Sequence, residues 1–214
     1  MYPEHGALSR LIPHAAAALS AAKHQGGATH CFFDASMLGG KRDEMELLRD
    51  LRLGTERGEL ELFYQPKIHA PSGEITGVEA LMRWNHAQRG TVSPEVFIPI
   101  AERYGLIRTL GNWLIDESCR QIRAWRNQGL RMRVAINLSV HQLRQPDLAA
   151  RIGAALQRNR LEANVLTCEI TETVATDDSH DAHGVIDELA ELGVHLSIDD
   201  FGTGYSNLSR LRKL

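Results

Sequence analysis

The run Ser197-Ile198-Asp199-Asp200-Phe201-Gly202-Thr203-Gly204-Tyr205-Ser206 sets two adjacent carboxylates at the end of an apolar, strand-like segment, directly before a glycine-rich turn. Neighbouring carboxylates repel, and each loses hydration at the mouth of a buried strand, so the pair persists where a cation compensates it. A divalent metal ion meets that need. Further apolar runs each carry one oxygen donor: Glu79 within 78–82, Asn137 within 134–138 and Glu169 within 166–170. Carboxylates and an amide form an oxygen-only set, which selects hard cations such as Mg2+ or Mn2+ over zinc or copper. Arg83 follows Glu79 at a spacing that puts both side chains on one face of a strand, where a guanidinium can grip a phosphate oxygen with two donors.

These donors act together only if the fold brings them to one place. Each run is short, aliphatic and bounded by turn or helix signals, which predicts buried strands. Amphipathic segments at 94–104, 107–128, 146–158 and 181–192 predict helices between them. The last strand signals recur roughly every 30 residues, the length of a βαβ unit, and therefore predict a parallel sheet with right-handed crossovers. A doubly wound open sheet and a (β/α)8 barrel both accommodate this order. In a barrel the strand ends form a ring, so donors from separate strands converge on the face where barrel enzymes keep their chemistry. An additional strand at 60–68 joins the Glu79 strand across Ala70-Pro71-Ser72-Gly73-Glu74, too short for a crossover, so these two pair antiparallel. The expected fold class is α/β: a (β/α)8 TIM-like barrel with one antiparallel strand, incomplete, with about five of its eight strands in this chain.

With 214 residues and a formal charge of −3, the chain has the composition of an ordinary globular protein. A general nucleic-acid binder is disfavoured, because Lys and Arg are scattered among acids rather than gathered in a stripe. One small phosphate ligand remains compatible with this charge. Cys31, Cys119 and Cys168 lack CxxC spacing and read as reduced thiols of a cytosolic protein. No charged-then-apolar leader is visible, and no apolar run approaches the ~18 residues of a membrane span. The expected location is cytoplasmic, with any membrane anchor lying in a region before Met1.

Around these donors stand Tyr64-Gln65-Pro66, Glu79-Ala80-Leu81 running on to Arg83-Trp84, Phe97-Ile98-Pro99 with Ala101-Glu102, Ile136-Asn137-Leu138-Ser139, Glu169-Ile170-Thr171-Glu172, and the run 199–206. In order and spacing, over residues 58–214, they resemble the EAL family, bacterial phosphodiesterases acting on the second messenger cyclic di-GMP. The resemblance implies hydrolysis of that dinucleotide to linear pGpG with a pair of Mg2+ or Mn2+ ions. It implies that Glu79, Asn137, Glu169 and Asp199 hold one ion and that Asp199 and Asp200 face the other, with Asp199 bridging. Glu79, Asp199 and Asp200 are the implied catalytic residues. Gln65, Leu81 and Arg83 are the implied substrate contacts, and Glu172 anchors the following loop through Thr203 and Ser206. The implied partners are cyclic di-GMP and, through the EAL domain, a second copy of the chain.

Residues 1–40 are similar to the end of a GGDEF diguanylate cyclase domain, with a helix over 15–25 and a strand at Cys31-Phe32-Phe33-Asp34. Residues 41–57, between Gly39-Gly40 and Gly58, then read as a connecting helix. A complete barrel takes about 250 residues, and a lysine, a glutamate and a glutamine that the family uses would follow Leu214. Little turnover is therefore expected of residues 1–214 alone. A receptor that binds cyclic di-GMP without cleaving it, and a gene fragment without a function of its own, are the competing readings.

Overall fold

The computed structural model describes residues 11–24, 29–34, 36–171 and 180–199. They belong to two compact units that divide between Arg52 and Leu53. The first holds α1 (Leu11–His24) and most of α2 (Ser36–Gly54). His14, Ala18 and Ala22 are buried along α1 at the spacing that places side chains above one another on a helix face. The His14 ring stacks on Phe33, with centroids 3.8 Å and planes 3° apart.

Two expectations for this unit are corrected. Residues 31–34, where a strand is expected, adopt no regular secondary structure. The connecting helix spans Ser36–Gly54 rather than 41–57. It runs through Gly39 and Gly40, each costing about 1 kcal/mol relative to alanine, a penalty the rest of the helix absorbs. It stops earlier because the Glu59 amide donates to the Gly54 carbonyl at 2.9 Å and Gly58 turns the chain at φ 69°.

Among the described residues, the second unit is built on a six-stranded sheet in the order 60–68, 75–86, 133–137, 166–171, 195–199, with 90–92 attached to 75–86. β1 (Leu60–Ile68) and β2 (Ile75–His86) form the expected antiparallel hairpin. Its turn is closed by Gly73, at φ 71°, whose amide donates to the His69 carbonyl at 2.8 Å. β2, β4 (Arg133–Asn137), β5 (Leu166–Thr171) and β6 (His195–Asp199) are parallel neighbours. The connections are α3 (Pro94–Arg103), α4 (Ile107–Asn127), a one-turn α5 (Val140–Leu143), α6 (Leu148–Arg158), a 3-10 turn (Ala163–Val165) and α7 (His180–Leu192). The short β3 (Gly90–Val92) and α5 are additions to the expected elements, too brief to leave a hydrophobic period. α6 starts at Leu148 rather than 146.

The sheet's helix-covered face forms the core. Ala80, Met82 and Trp84 of β2, Val134 and Ile136 of β4, and Leu166, Cys168 and Ile170 of β5 are all buried. α4 packs on β4 and presents the buried apolar stripe Leu110, Leu114, Ile115, Cys119 and Ile122, and it packs in turn on α6, where Leu148, Ile152 and Leu156 are buried. Trp84 has no solvent exposure, meets Phe97 edge to face at 5.9 Å, and satisfies its indole by donating to Glu59 at 3.1 Å. Strand alternation then forces the intervening side chains onto the other face.

Candidate active site

From Glu79 to Arg83, β2 alternates half-buried and buried residues, so Glu79, Leu81 and Arg83 share the face turned away from the helices. Gln65 stands directly opposite Glu79 across the hairpin, and Phe63 opposite Leu81, which delivers both to that face. Arg83 is anchored there. Its Nη1 donates to the Met82 carbonyl at 2.9 Å, and its guanidinium carbon lies 5.5 Å from the Phe63 ring centre.

The parallel register brings the next donors alongside. Asn137, the last residue of β4, donates from Nδ2 to Oε1 of Glu79 at 2.8 Å. Glu169 is the register partner of Asn137, and Asp199 that of Thr171. The Leu138 amide donates to the Glu169 carbonyl at 2.9 Å, which carries the β4–β5 ladder one step beyond Asn137 and fixes the backbone under it. Ser139 then caps α5: its Oγ accepts from the Gln142 amide at 3.3 Å, while Gln142 Oε1 accepts from the Ser139 amide at 3.2 Å. The amide end of Gln142 lies against Gly111 of α4. A Cβ there would lie 1.9 Å from Gln142 Nε2.

Glu169 behaves differently from Glu79. It is buried, at 5% exposure, and its Oε1 accepts an ion-paired hydrogen bond from Lys67 Nζ. Lys67 reaches it from β1, two residues beyond Gln65 and so on the same strand face. Sequence reasoning misses this role, because a lysine near the end of a hairpin strand reads as a solvated side chain. Both residues line a cavity of about 340 Å³ together with Gly77, Arg133, Thr167 and Ser197. A separate cavity of about 300 Å³ opens beside Leu81, Arg83, Ile98, Asn137, Ser139 and Thr171, in the size range of small-ligand sites.

Of the donors read from the sequence, the structure thus joins Glu79 to Asn137. It sets Glu169 beside them in register but turned to Lys67, and leaves Asp199 exposed at the end of β6. Among the described residues no three His, Cys, Asp or Glu side chains cluster closely enough to hold a metal ion. Asp200, Glu172, Thr203 and Ser206 lie outside the described residues. No helix among the described residues is long and apolar enough to cross a membrane.

A parallel sheet entered through an antiparallel hairpin, with acid and amide donors on the face opposite its helices, defines a barrel-like α/β domain. Residues 48–214 match the EAL domain, and the chain belongs to that family. The match begins inside α2, ahead of β1. Over 216 residues the chain is 43% identical to the bifunctional diguanylate cyclase/cyclic di-GMP phosphodiesterase MucR of Pseudomonas aeruginosa, covering 100% of this chain and 32% of that protein. It is 38% identical over 212 residues to the cyclic di-GMP phosphodiesterase PdeR of Escherichia coli, covering 99% of this chain and 32% of that protein. The chain spans about a third of the length of these curated relatives. Among solved structures, the PaMucR phosphodiesterase in its c-di-GMP complex superimposes with a TM-score of 0.75 at 45% identity, over 79% of this chain and 69% of that one. The FimX EAL domain of Pseudomonas aeruginosa bound to c-di-GMP does so with 0.71 at 26% identity, over 79% and 68%.

Proposed function

We propose that this site binds cyclic di-GMP and hydrolyses one of its phosphodiester bonds to give linear pGpG. The observation that carries the reading is the Glu79–Asn137 contact of 2.8 Å, made next to the cavity that Arg83 lines, in a chain of the EAL family. The names of MucR and PdeR, and the c-di-GMP held by the PaMucR structure, support the same substrate.

In this reading Arg83, steadied by Phe63 and the Met82 carbonyl, holds a phosphate oxygen, and Leu81 and Gln65 border the ligand. Glu79, Asn137, Glu169 and Asp199 would hold one divalent ion, and Asp199 with Asp200 a second, Mg2+ or Mn2+ being favoured. The donor chemistry fits, since carboxylate and amide oxygens suit hard cations, and the bond from Asn137 Nδ2 to Glu79 Oε1 holds the two side chains side by side. When bound, such ions supply charge stabilisation to the attacking and leaving oxygens of an in-line displacement. The protein's own contribution is to fix Asn137 on Glu79, to keep Arg83 facing the cavity, and to orient the bond so that water adds at phosphorus as the ester oxygen leaves with a proton.

Residues 1–40 are assigned to the end of a GGDEF domain. This is supported by the MucR alignment, which covers the whole chain, whereas the EAL match starts at 48.

Incubation of a chain that carries residues 1–214 within a complete barrel with cyclic di-GMP and Mn2+, followed by separation of the nucleotides, tests the function, little turnover being expected of residues 1–214 alone. Linear pGpG that disappears in Glu79→Ala is the expected result. Dinucleotide bound but uncleaved in calorimetry would reassign the site to a receptor, and neither binding nor cleavage would overturn the proposal.

A further inference from the structure

Lys67 is the feature the proposed chemistry leaves unused. Its ammonium meets a carboxylate that is buried, belongs to the implied metal donors, and sits in register beside Asn137. A buried carboxylate without a counter-charge is strongly unfavourable, so a site built from several acids has to solve that problem whenever no ion is bound. Lys67 is positioned to solve it. It comes from β1, outside the parallel strands that supply the donors, and draws Glu169 into the cavity lined by Gly77, Arg133 and Thr167 rather than the one beside Asn137 and Arg83.

We infer that Lys67 is an internal counter-cation that holds Glu169 while the metal site is empty and competes with the ion for that carboxylate. The inference rests on the metal-dependent reading above and adds a positioning residue to it. A lysine that served only to join β1 to β5 would stabilise the fold equally with and without metal. A competing counter-cation stabilises the metal-free protein and weakens metal binding. Its removal therefore moves these two readouts in opposite directions.

The experiment compares wild type, Lys67→Met and Lys67→Arg in the full chain. Thermal unfolding is followed in EDTA and in saturating Mn2+, and Mn2+ affinity is taken from calorimetry. Lys67→Met is expected to melt lower in EDTA, to recover most of that loss in Mn2+, and to bind Mn2+ roughly tenfold more tightly, since a unit positive charge has left the neighbourhood of the ion. Lys67→Arg keeps the charge and is expected to stay near wild type in both. Should Lys67→Met fail to fold in EDTA, the double variant with Glu169→Gln is expected to restore the transition, because the uncompensated charge is gone. Failure of that rescue, equal melting losses in both conditions, or unchanged or weaker Mn2+ binding would each overturn the counter-cation. Absence of any Mn2+ effect on wild type would instead bring down the metal reading itself, and the inference with it.

Discussion

Gln142 occupies the space that a side chain at position 111 would take, with Nε2 only 1.9 Å from where a Cβ would stand. Gly111→Ala is therefore expected to destabilise the protein by about 1–3 kcal/mol through overpacking, read as a lower urea midpoint at unchanged slope. Combining it with Gln142→Ala should return much of that loss, since the two changes act on one contact. A Gly111→Ala variant as stable as wild type would show that α5 has room to move. In the sequence Gly111 looks like any helix glycine, whereas Glu79 and Asn137 stand out as lone polar residues in apolar runs. Lys67 is hidden for the same reason as Gly111: its partner is 102 residues away, and only the hairpin and the β4–β5 register bring Glu169 within reach.

Strands and helices are more legible than the contacts between them, because hydrophobic period belongs to a segment while packing belongs to a pair. The helices over 94–103 and 107–127 and the parallel strands follow the periodicity closely. α5 escapes that reading although Ser139 and Gln142 spell a capping box, since a single turn leaves no amphipathic stripe to read. The strand expected at 31–34 rests on a family resemblance rather than on an alternating pattern, and those residues adopt no regular secondary structure. Gly77 makes the point at the β2–β4 seam. A Cβ there would lie 2.9 Å from the Arg133 carbonyl oxygen, a backbone atom that cannot swing aside. Gly77→Ala should push β2 from β4, costing about 1–3 kcal/mol and speeding amide exchange at Val134 and Ile136 relative to amides of α6. Uniform exchange across both elements would mean that the seam absorbs the methyl group.

Inside the second unit, burial keeps two thiols and a phenol protonated. Burial pushes the Cys119 thiol on α4 up to about 12, with Asp116 adding and Arg158 opposing. It pushes Cys168 on β5 to about 12 as well, with Cys119 adding. Tyr64 on β1 is raised to about 12 by burial, then by Glu117, against Arg120. In the unfolded chain thiols lose their protons near pH 8.5 and phenols near 10, by the usual values, roughly. The folded form thus binds more protons than the unfolded form above about pH 9, and stability must fall as pH rises from there towards about 12, while these groups contribute no slope below it. Urea midpoints measured from pH 7 to 11 should therefore hold level as far as these groups are concerned and then decline. Cys119→Ala with Cys168→Ala should remove the part of the decline that begins near pH 9, roughly, and Tyr64→Phe the part that begins near 10. Because the three groups sit on separate elements of one unit, a thiol reagent at pH 8 is expected to label Cys119 and Cys168 together, at the rate of global unfolding. Labelling of one well before the other, or an alkaline decline untouched by the substitutions, would show that α4, β5 and β1 do not open as a single cooperative body.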